Sequence, residues 1–552
     1  MKQAGTEVAM KRLRALFERA WKRSTQWSDR QHAHAAVLGL LIVAAAIHQL
    51  IFVYWYIEDA AISFSYARNV ANGEGFVTYP GGERVEGFSN PLWTYLLVAF
   101  QLIGVDGFIS SKIMGVFFGS LCLPLAYLLT EEAFGHGEGS ASWSAQPSHY
   151  SLVAPAFLAG SAQFAIWNAS GLENSLFCAL LAAGMWRTVV ETRTNSWPSA
   201  AFFFFALTIT RPEGILYAAF GGFWAMVLSL LAHRSPALTI KWLVSFFGPF
   251  SAYQAVRYSY FAWPFPNTYY AKLGSKEFQP FAWNIRGWKY IRDWSHVLWH
   301  GYLIPVYLFG LVGRSRGART TVAGVLCLLV ALMLPGPDLV RNLWPWTAFR
   351  APAGWNETRV WCLLLLAICL GLRTLGTQGW RSRALAYGMA SLSLFFALWS
   401  GGDWMKGYRW MSLLTVPTAV LFAAGSRDVV PILGKLLTPL WVPLATGPRV
   451  LARRGRFTLD QIRAGTVTVG VLALLGCIAG PNLFHSNWFA NKPETGPFSV
   501  QKRVNYINYV ERRLHLLHRP TTFDVDMGAN MYWSGNKIAD VAGLVDLSLI
   551  HI

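Results

Sequence analysis

The chain has 552 residues, of which 54% are hydrophobic and only 14% charged, and Lys plus Arg outnumber Asp plus Glu by 47 to 28. Soluble domains carry about 25% charged residues, so this composition excludes a soluble globular protein and predicts one that crosses a membrane many times. The net charge of +19 then reads as basic bias in cytoplasmic loops and not as a nucleic-acid surface. The cysteines (Cys122, Cys178, Cys327, Cys362, Cys369 and Cys477) all fall in apolar segments, without the spacing of a zinc site or an evident disulfide.

Residues 1–34 form a basic tail with eight Lys or Arg and three Asp or Glu. No small-residue cleavage site follows, so the tail is not a removable signal. Its charge keeps it in the cytoplasm, and the apolar run 35–57 delivers Glu58 and Asp59 to the outer face. Further spans are predicted near 150–168, 172–190, 198–210, 214–232, 239–261, 299–313, 320–334, 360–376, 384–400, 409–425 and 465–484. Arg187 and Arg193, Arg234 and Lys241, Arg314 to Arg319, Arg373 to Arg383, and the basic stretch from Arg427 to Arg463 fall between successive pairs of spans. Placing them inside gives a consistent zigzag, provided that the two apolar runs 91–105 and 107–129 make one net crossing, so one of them is re-entrant or interfacial. The expected architecture is an all-α polytopic membrane protein of about 13 spanning helices, each of the ~17–25 residues that a bilayer requires.

The zigzag places the unusual polar motifs outside, beginning with the first loop, 58–90. Residues 485–552 form a separate outer region, with a helical pattern from Pro497 and then short alternating strands turning at Gly528 and Gly535, which predicts a small α/β piece. The sequence stops at an abruptly apolar LSLIHI, which reads as a truncation.

Each motif has a structural reading and a chemical one. Glu58-Asp59 closes one helix and caps the next, or it supplies a general base where lipid meets water. Asp403, Lys406 and Arg409 lie in GGDWMKGYR, where glycines admit a ligand and two cations suit a phosphate, while the aromatics suit interfacial anchoring. Arg211 and Glu213, in TRPEG, pair with each other or with other helices. Glu173 in SGLENS sits at a helix start, where a carboxylate is stabilised. Lys272, in PNTYYAK, grips a headgroup or lies on the interface.

In order, the runs EDAAISFSYARNVANGEGFVTYPGGERVEGFSNPLW, WNASGLENSLF, TRPEG, PNTYYAKLG, GGDWMKGYRW and DMGANMYWSGNKIADVAGLVD resemble the GT-C superfamily of integral-membrane glycosyltransferases. Within it the sequence is most similar to the branch holding the mycobacterial terminal arabinofuranosyltransferases. That branch shows two Asp residues in the first motif, and Glu58 replaces the first here. The resemblance implies a bacterial plasma-membrane enzyme with an extracytoplasmic site, a polyprenyl-phosphate-linked sugar donor such as a pentofuranose, inversion at the anomeric carbon, and a glycan, lipid or protein acceptor. It implies Asp59, beside Glu58, as the base; Lys406 and Arg409, helped by Lys272 and Arg211, on the donor phosphate; and Arg84, Glu86, Asn90, Glu173 and Asp403 around sugar or acceptor. The resemblance fixes no cofactor and leaves a divalent cation open. Glu58 and Asp59 are hard oxygen ligands of the kind a divalent cation takes, but no convergent ligand set accompanies them. The alternatives are a lipid or sugar transporter, against which no inverted repeat is visible, and a non-catalytic envelope or motility factor on the same fold.

Overall fold

The computed structural model describes residues 28–135, 146–232, 236–273, 287–313, 379–403, 405–445, 459–493, 497–514, 521–524, 527–534 and 536–540, with a few positions between 321 and 374 and Val545. The tail 1–27, most of the predicted span 320–334, part of the span 360–376, and the outer segment 335–359 lie outside the described residues.

α1 spans Asp29–Leu50 and opens on a capping box, with Ser28 accepting from the Gln31 amide and Gln31 accepting from the Ser28 amide. It starts and ends earlier than the run 35–57. Phe52, Trp55 and Tyr56 leave the helix to pack in an aromatic core with Trp167 and Phe489, so the end of the apolar run is a buried turn and not helix. α2 (Asp59–Ala71) follows, then α3 (Pro91–Leu102) and α4 (Gly107–Ala133). With 12 residues α3 reaches about 18 Å, whereas the 27 residues of α4 exceed the ~30 Å of a hydrocarbon core. The net single crossing of 91–129 therefore belongs to α4.

The predicted span 150–168 is bent by 59° between α5 (Val153–Gly160), which a short 3-10 turn precedes, and α6 (Ala162–Asn168). The break is filled from elsewhere, because the Ala162 amide donates to Asn482 at 2.8 Å. α7 (Asn174–Thr194), α8 (Ala200–Thr208), α9 (Gly214–Leu231) and α10 (Ala237–Phe261) continue the zigzag. After the short α11 (Asn267–Leu273), α12 (Gly287–Val297) meets the segment leading into α13 (Ile304–Val312) at 76°. α14 (Trp380–Trp399), the single turn α15 (Arg409–Ser412), α16 (Thr415–Ala445) and α17 (Leu459–Asn491) complete the bundle. α13 and α16 touch through glycines, since a Cβ at Gly310 would run into the Leu421 carbonyl and one at Gly425 into that of Val306.

Among the described residues four helices are long and apolar enough to cross a membrane, or six if each bent pair is one span. Among the helices outside that set, α8 has only 9 residues and α7 carries Arg187, Glu191 and Arg193 along a largely buried length. Exposed apolar side chains such as Val43, Ile47, Phe117, Phe247 and Leu472 ring the bundle, as a lipid-facing surface requires. The turns predicted as outer meet at one end, with Ile57 bonded to Ser170 and Leu92 to Ile209. Those predicted as inner meet at the other, where Arg193 pairs with Glu132 at 3.0 Å and Arg383 bonds the Ala133 carbonyl at 3.0 Å and lies 3.6 Å from Asp428.

After the bundle, α18 (Pro497–Arg513) leads to β1 (Thr521–Asp524), α19 (Met527–Trp533) and β2 (Lys537–Asp540), whose strands pair in parallel with Thr521 opposite Lys537. Gly528, expected at a turn between strands, is instead in the crossover helix, because parallel strands need a connection of about a dozen residues. It faces α2, and a Cβ there would run into the Glu58 carbonyl oxygen. Arg68 closes the contact from α2 by donating to the Met531 and Tyr532 carbonyls at the end of α19. Gly528→Val is expected to lift α19 from α2 and cost about 1–3 kcal/mol, read as a lower melting temperature in detergent. Gly248→Ala, on an exposed stretch of α10 with nothing near its Cβ, should not lower it, because Ala favours a helix interior over Gly.

Candidate active site

Glu58 and Asp59 stand at the start of α2, where unpaired helix amides favour negative charge. The pair is split. Glu58 is buried beneath α19 and its side chain makes no capping bond, whereas Asp59 is exposed. Ser63 lies one helical turn beyond Asp59 and so shares its face.

From Ser63 a continuous polar chain runs inward. Its hydroxyl donates to the Asn90 carboxamide oxygen at 3.0 Å, which also accepts from Thr94 at 3.1 Å. The Asn90 amide nitrogen donates to Glu173 at 2.6 Å. The other Glu173 oxygen accepts from Arg211 Nη1 at 2.5 Å, and Arg211 Nε donates to Glu213. All five residues beyond Ser63 in this chain are buried. One guanidinium thus serves two carboxylates in a water-poor setting, where each depends on the other for its charge to be tolerated. Glu173 is the turn before α7, Arg211 and Glu213 the turn before α9, and Asn90 the start of α3, so three helix ends are fixed to one another.

The hairpin 401–409 closes against this cluster. Gly401, Gly402, Gly407 and Tyr408 all have left-handed φ, at 76°, 79°, 80° and 59°. Tyr290 on α12 fills the space above Gly402, whose Cβ would come within 2.6 Å of it, and the Tyr290 hydroxyl accepts from the Trp410 amide at 3.2 Å. Asp403 accepts from Arg409 Nε at 2.7 Å and from the Met405 amide at 3.3 Å. The Gly407 carbonyl accepts from the Trp167 indole at 2.8 Å, tying the hairpin to α6. The Trp410 ring joins the two groups, since the Arg211 guanidinium lies 4.9 Å and that of Arg409 4.8 Å from its centroid. Lys406 is exposed at the hairpin tip.

Asn90, Glu173, Arg211, Asp403 and Arg409 thus form one contiguous assembly, with Asp59, Glu58 and Lys406 on the elements that frame it. Arg84 and Glu86 belong elsewhere. Glu86 pairs with Arg257 at 2.5 Å, and Arg257 Nη1 also donates to the Trp263 and Pro264 carbonyls, which pins the first loop to the end of α10. Burial pushes the Glu86 carboxyl up to about 7, while the hydrogen bond and charge of Arg257 pull it down. Arg84 is exposed, 5.0 Å from the Tyr260 ring. The Lys272 side chain lies outside the described residues. Ser63, Trp167 and Trp410 were not singled out from sequence, and nothing but their motif neighbourhood marks them. Arg257 and Lys112 did carry a signal, as ionisable residues inside apolar runs. Among the described residues no group of three or more His, Cys, Asp or Glu is placed to hold a metal ion.

No family model matches the sequence, and no curated protein matches it. Solved structures do. ArnT from Cupriavidus metallidurans in the apo state is similar over 94% of this chain and 87% of its own, with a TM-score of 0.50 at 11% identity. The same protein bound to undecaprenyl phosphate gives 0.46 at 11% identity over 93% of this chain and 86% of its own. The oligosaccharyltransferase AglB from Archaeoglobus fulgidus, in complex with an inhibitory peptide and a dolichol-phosphate, gives 0.47 at 12% identity over 93% of this chain. The chain spans 65% of the length of that archaeal protein. At such identities the likeness is one of fold, the polytopic helical fold seen in ArnT.

Proposed function

We propose that this protein transfers a glycosyl group from a polyprenyl-phosphate carrier to an acceptor hydroxyl with inversion, at the extracytoplasmic face of the membrane. The observation that carries the reading is the gathering, at one end of a GT-C-type bundle, of an exposed carboxylate at a helix start and a glycine-built hairpin bearing Lys406 and Arg409. The carriers named in the ArnT and AglB complexes, undecaprenyl phosphate and dolichol-phosphate, belong to the donor class proposed. The sequence motifs favour a pentofuranose such as arabinose as the sugar, and the acceptor is a glycan, lipid or protein.

Asp59 takes the proton from the acceptor hydroxyl as its oxygen attacks the anomeric carbon from the face opposite the phosphate. The bond from that carbon to the phosphate oxygen breaks, and the polyprenyl phosphate leaves with the electron pair. A phosphate leaves without strong protonation, so a base and a cationic grip suffice. Lys406 supplies a point charge. Arg409 engages Asp403 through Nε, and among the described residues no acceptor meets its Nη atoms, so four N–H groups remain for a phosphate. Arg211 is reassigned from helper to clamp, because its charge already answers Glu173 and Glu213. Glu86 and Arg84 are likewise reassigned to holding the first loop. Asn90, Glu173 and Asp403 form the rigid wall behind the reacting atoms.

Three outcomes check this reading. Asp59→Asn should lower transfer from a radiolabelled polyprenyl-phosphate sugar by about 10²–10⁴-fold, with a stability loss of no more than about 1 kcal/mol from the lost charge at the helix start. Wild-type rates in that variant remove Asp59 from the mechanism, and no transfer by the wild type with any such donor removes the enzyme. Lys406→Ala and Arg409→Ala should raise the KM for the donor and spare that for the acceptor. Arg211→Met should instead unfold the protein more readily, by about 3–5 kcal/mol, since it leaves two carboxylates buried without a counter-charge. A stable Arg211→Met variant that merely loses donor affinity returns Arg211 to the phosphate.

A further inference from the structure

Lys112 lies on α4, about 7.5 Å along the helix from Gly107, and is 7% exposed. A buried ammonium is costly unless its donors and charge are met. Among the described residues no carboxylate pairs with it. Its Nζ donates to two main-chain carbonyls, those of Trp55 and Ala169, and stands 5.0 Å from the Phe108 ring centroid. Both carbonyls are at chain reversals. Trp55 is in the turn after α1, and Ala169 is the residue on which α6 ends. Helix ends leave carbonyls without partners and carry partial negative charge, so a cation there is stabilised.

These two turns introduce different parts of the site. Trp55 precedes Glu58 and Asp59 by one short turn. Ala169 leads into Glu173, and α6, which it closes, also holds the hairpin through the Trp167 bond to Gly407. The site therefore rests on two bodies. One carries the base, and the other carries the cations of the hairpin. Among the described residues one backbone-to-backbone bond, from the Ile57 amide to the Ser170 carbonyl at 2.9 Å, joins them beside Lys112, in addition to the side-chain link from Ser63 through Asn90 to Glu173. Gly171, with φ of +90°, lets them close, since its Cβ would come within 3.0 Å of that of Ala60. An apolar side chain at 112 would fill the same space, but reaching both carbonyls at once takes a side chain with two or more N–H groups at its end.

We infer that Lys112 is a positioning residue that fixes the distance between the Asp59 base and the donor held by the 401–409 hairpin. The inference rests on the function proposed above and adds to it a residue that touches neither substrate. Lys112→Met leaves the hairpin and its cations intact, so the KM for the polyprenyl-phosphate donor should stay at the wild-type value. A shift of the base of the order of 1 Å should lower kcat by about 10–100-fold. Lys112→Arg keeps the charge and several donors and should recover most of that loss.

Amide hydrogen exchange of the full-length protein in detergent gives a second measurement that does not need turnover. In Lys112→Met, peptides containing Ile57 and residues 169–172 should exchange faster, and those from the far end of α4 should not. A wild-type kcat in Lys112→Met overturns the inference, as does a kcat loss accompanied by faster exchange throughout α4, or failure of both variants and of Lys112→Gln to fold. A wild type without transfer defeats the function proposed above, and the exchange pattern then still decides whether Lys112 joins the two turns.

Discussion

A single guanidinium between two carboxylates, all three out of water, is the constraint on which this end of the bundle depends. Arg211, Glu173 and Glu213 are each tolerable in the interior only because the other two are there. Satisfying them brings the turn before α7 and the turn before α9 to one point, and Asn90 extends the arrangement to the start of α3. From Asn90 it reaches Ser63, and so the face of α2 that carries Asp59. Hydrophobic packing alone lets helices slide or rotate by small amounts, whereas this group has few arrangements that leave no charge unanswered.

The same logic recurs where the helices end. Arg257 answers Glu86 and two carbonyls, and Arg383 answers Asp428 and the Ala133 and Gly310 carbonyls. Lys112 answers two carbonyls with no acid among the described residues. Buried cations on chain reversals are thus a repeated device in this bundle. They do for the turns what caps do for isolated helices, and they leave the middle of each helix free to face lipid.

The polytopic helical fold was legible because apolar runs of spanning length and basic loops are strong, independent signals in the sequence. The requirement for one net crossing across 91–129 was legible from loop charge, and helix length decides it in favour of α4. Helix ends were less legible. The run to Ile57 reads as continuous helix, yet Phe52, Trp55 and Tyr56 have better packing partners off the helix. The roles of individual charges were least legible. The TRPEG motif suggested that Arg211 pairs with Glu213 or with another helix, but that Glu173 is the other partner depends on how three separate turns fold together. Gly528 reads as a turn residue until its neighbour is known to be the Glu58 backbone, which no local pattern reveals.

The contact between α19 and α2 joins Arg68 to Tyr532 across 464 positions of sequence. During synthesis α2 emerges early, and its first turn is left without this cover until the ribosome has made almost all the rest of the described chain. The acidic motif is therefore completed only after the bundle through α17 has been made, and a nascent protein holds this motif uncovered while the membrane bundle assembles. Sequence changes in the region after α17 consequently bear on the very first loop, in spite of their distance along the gene.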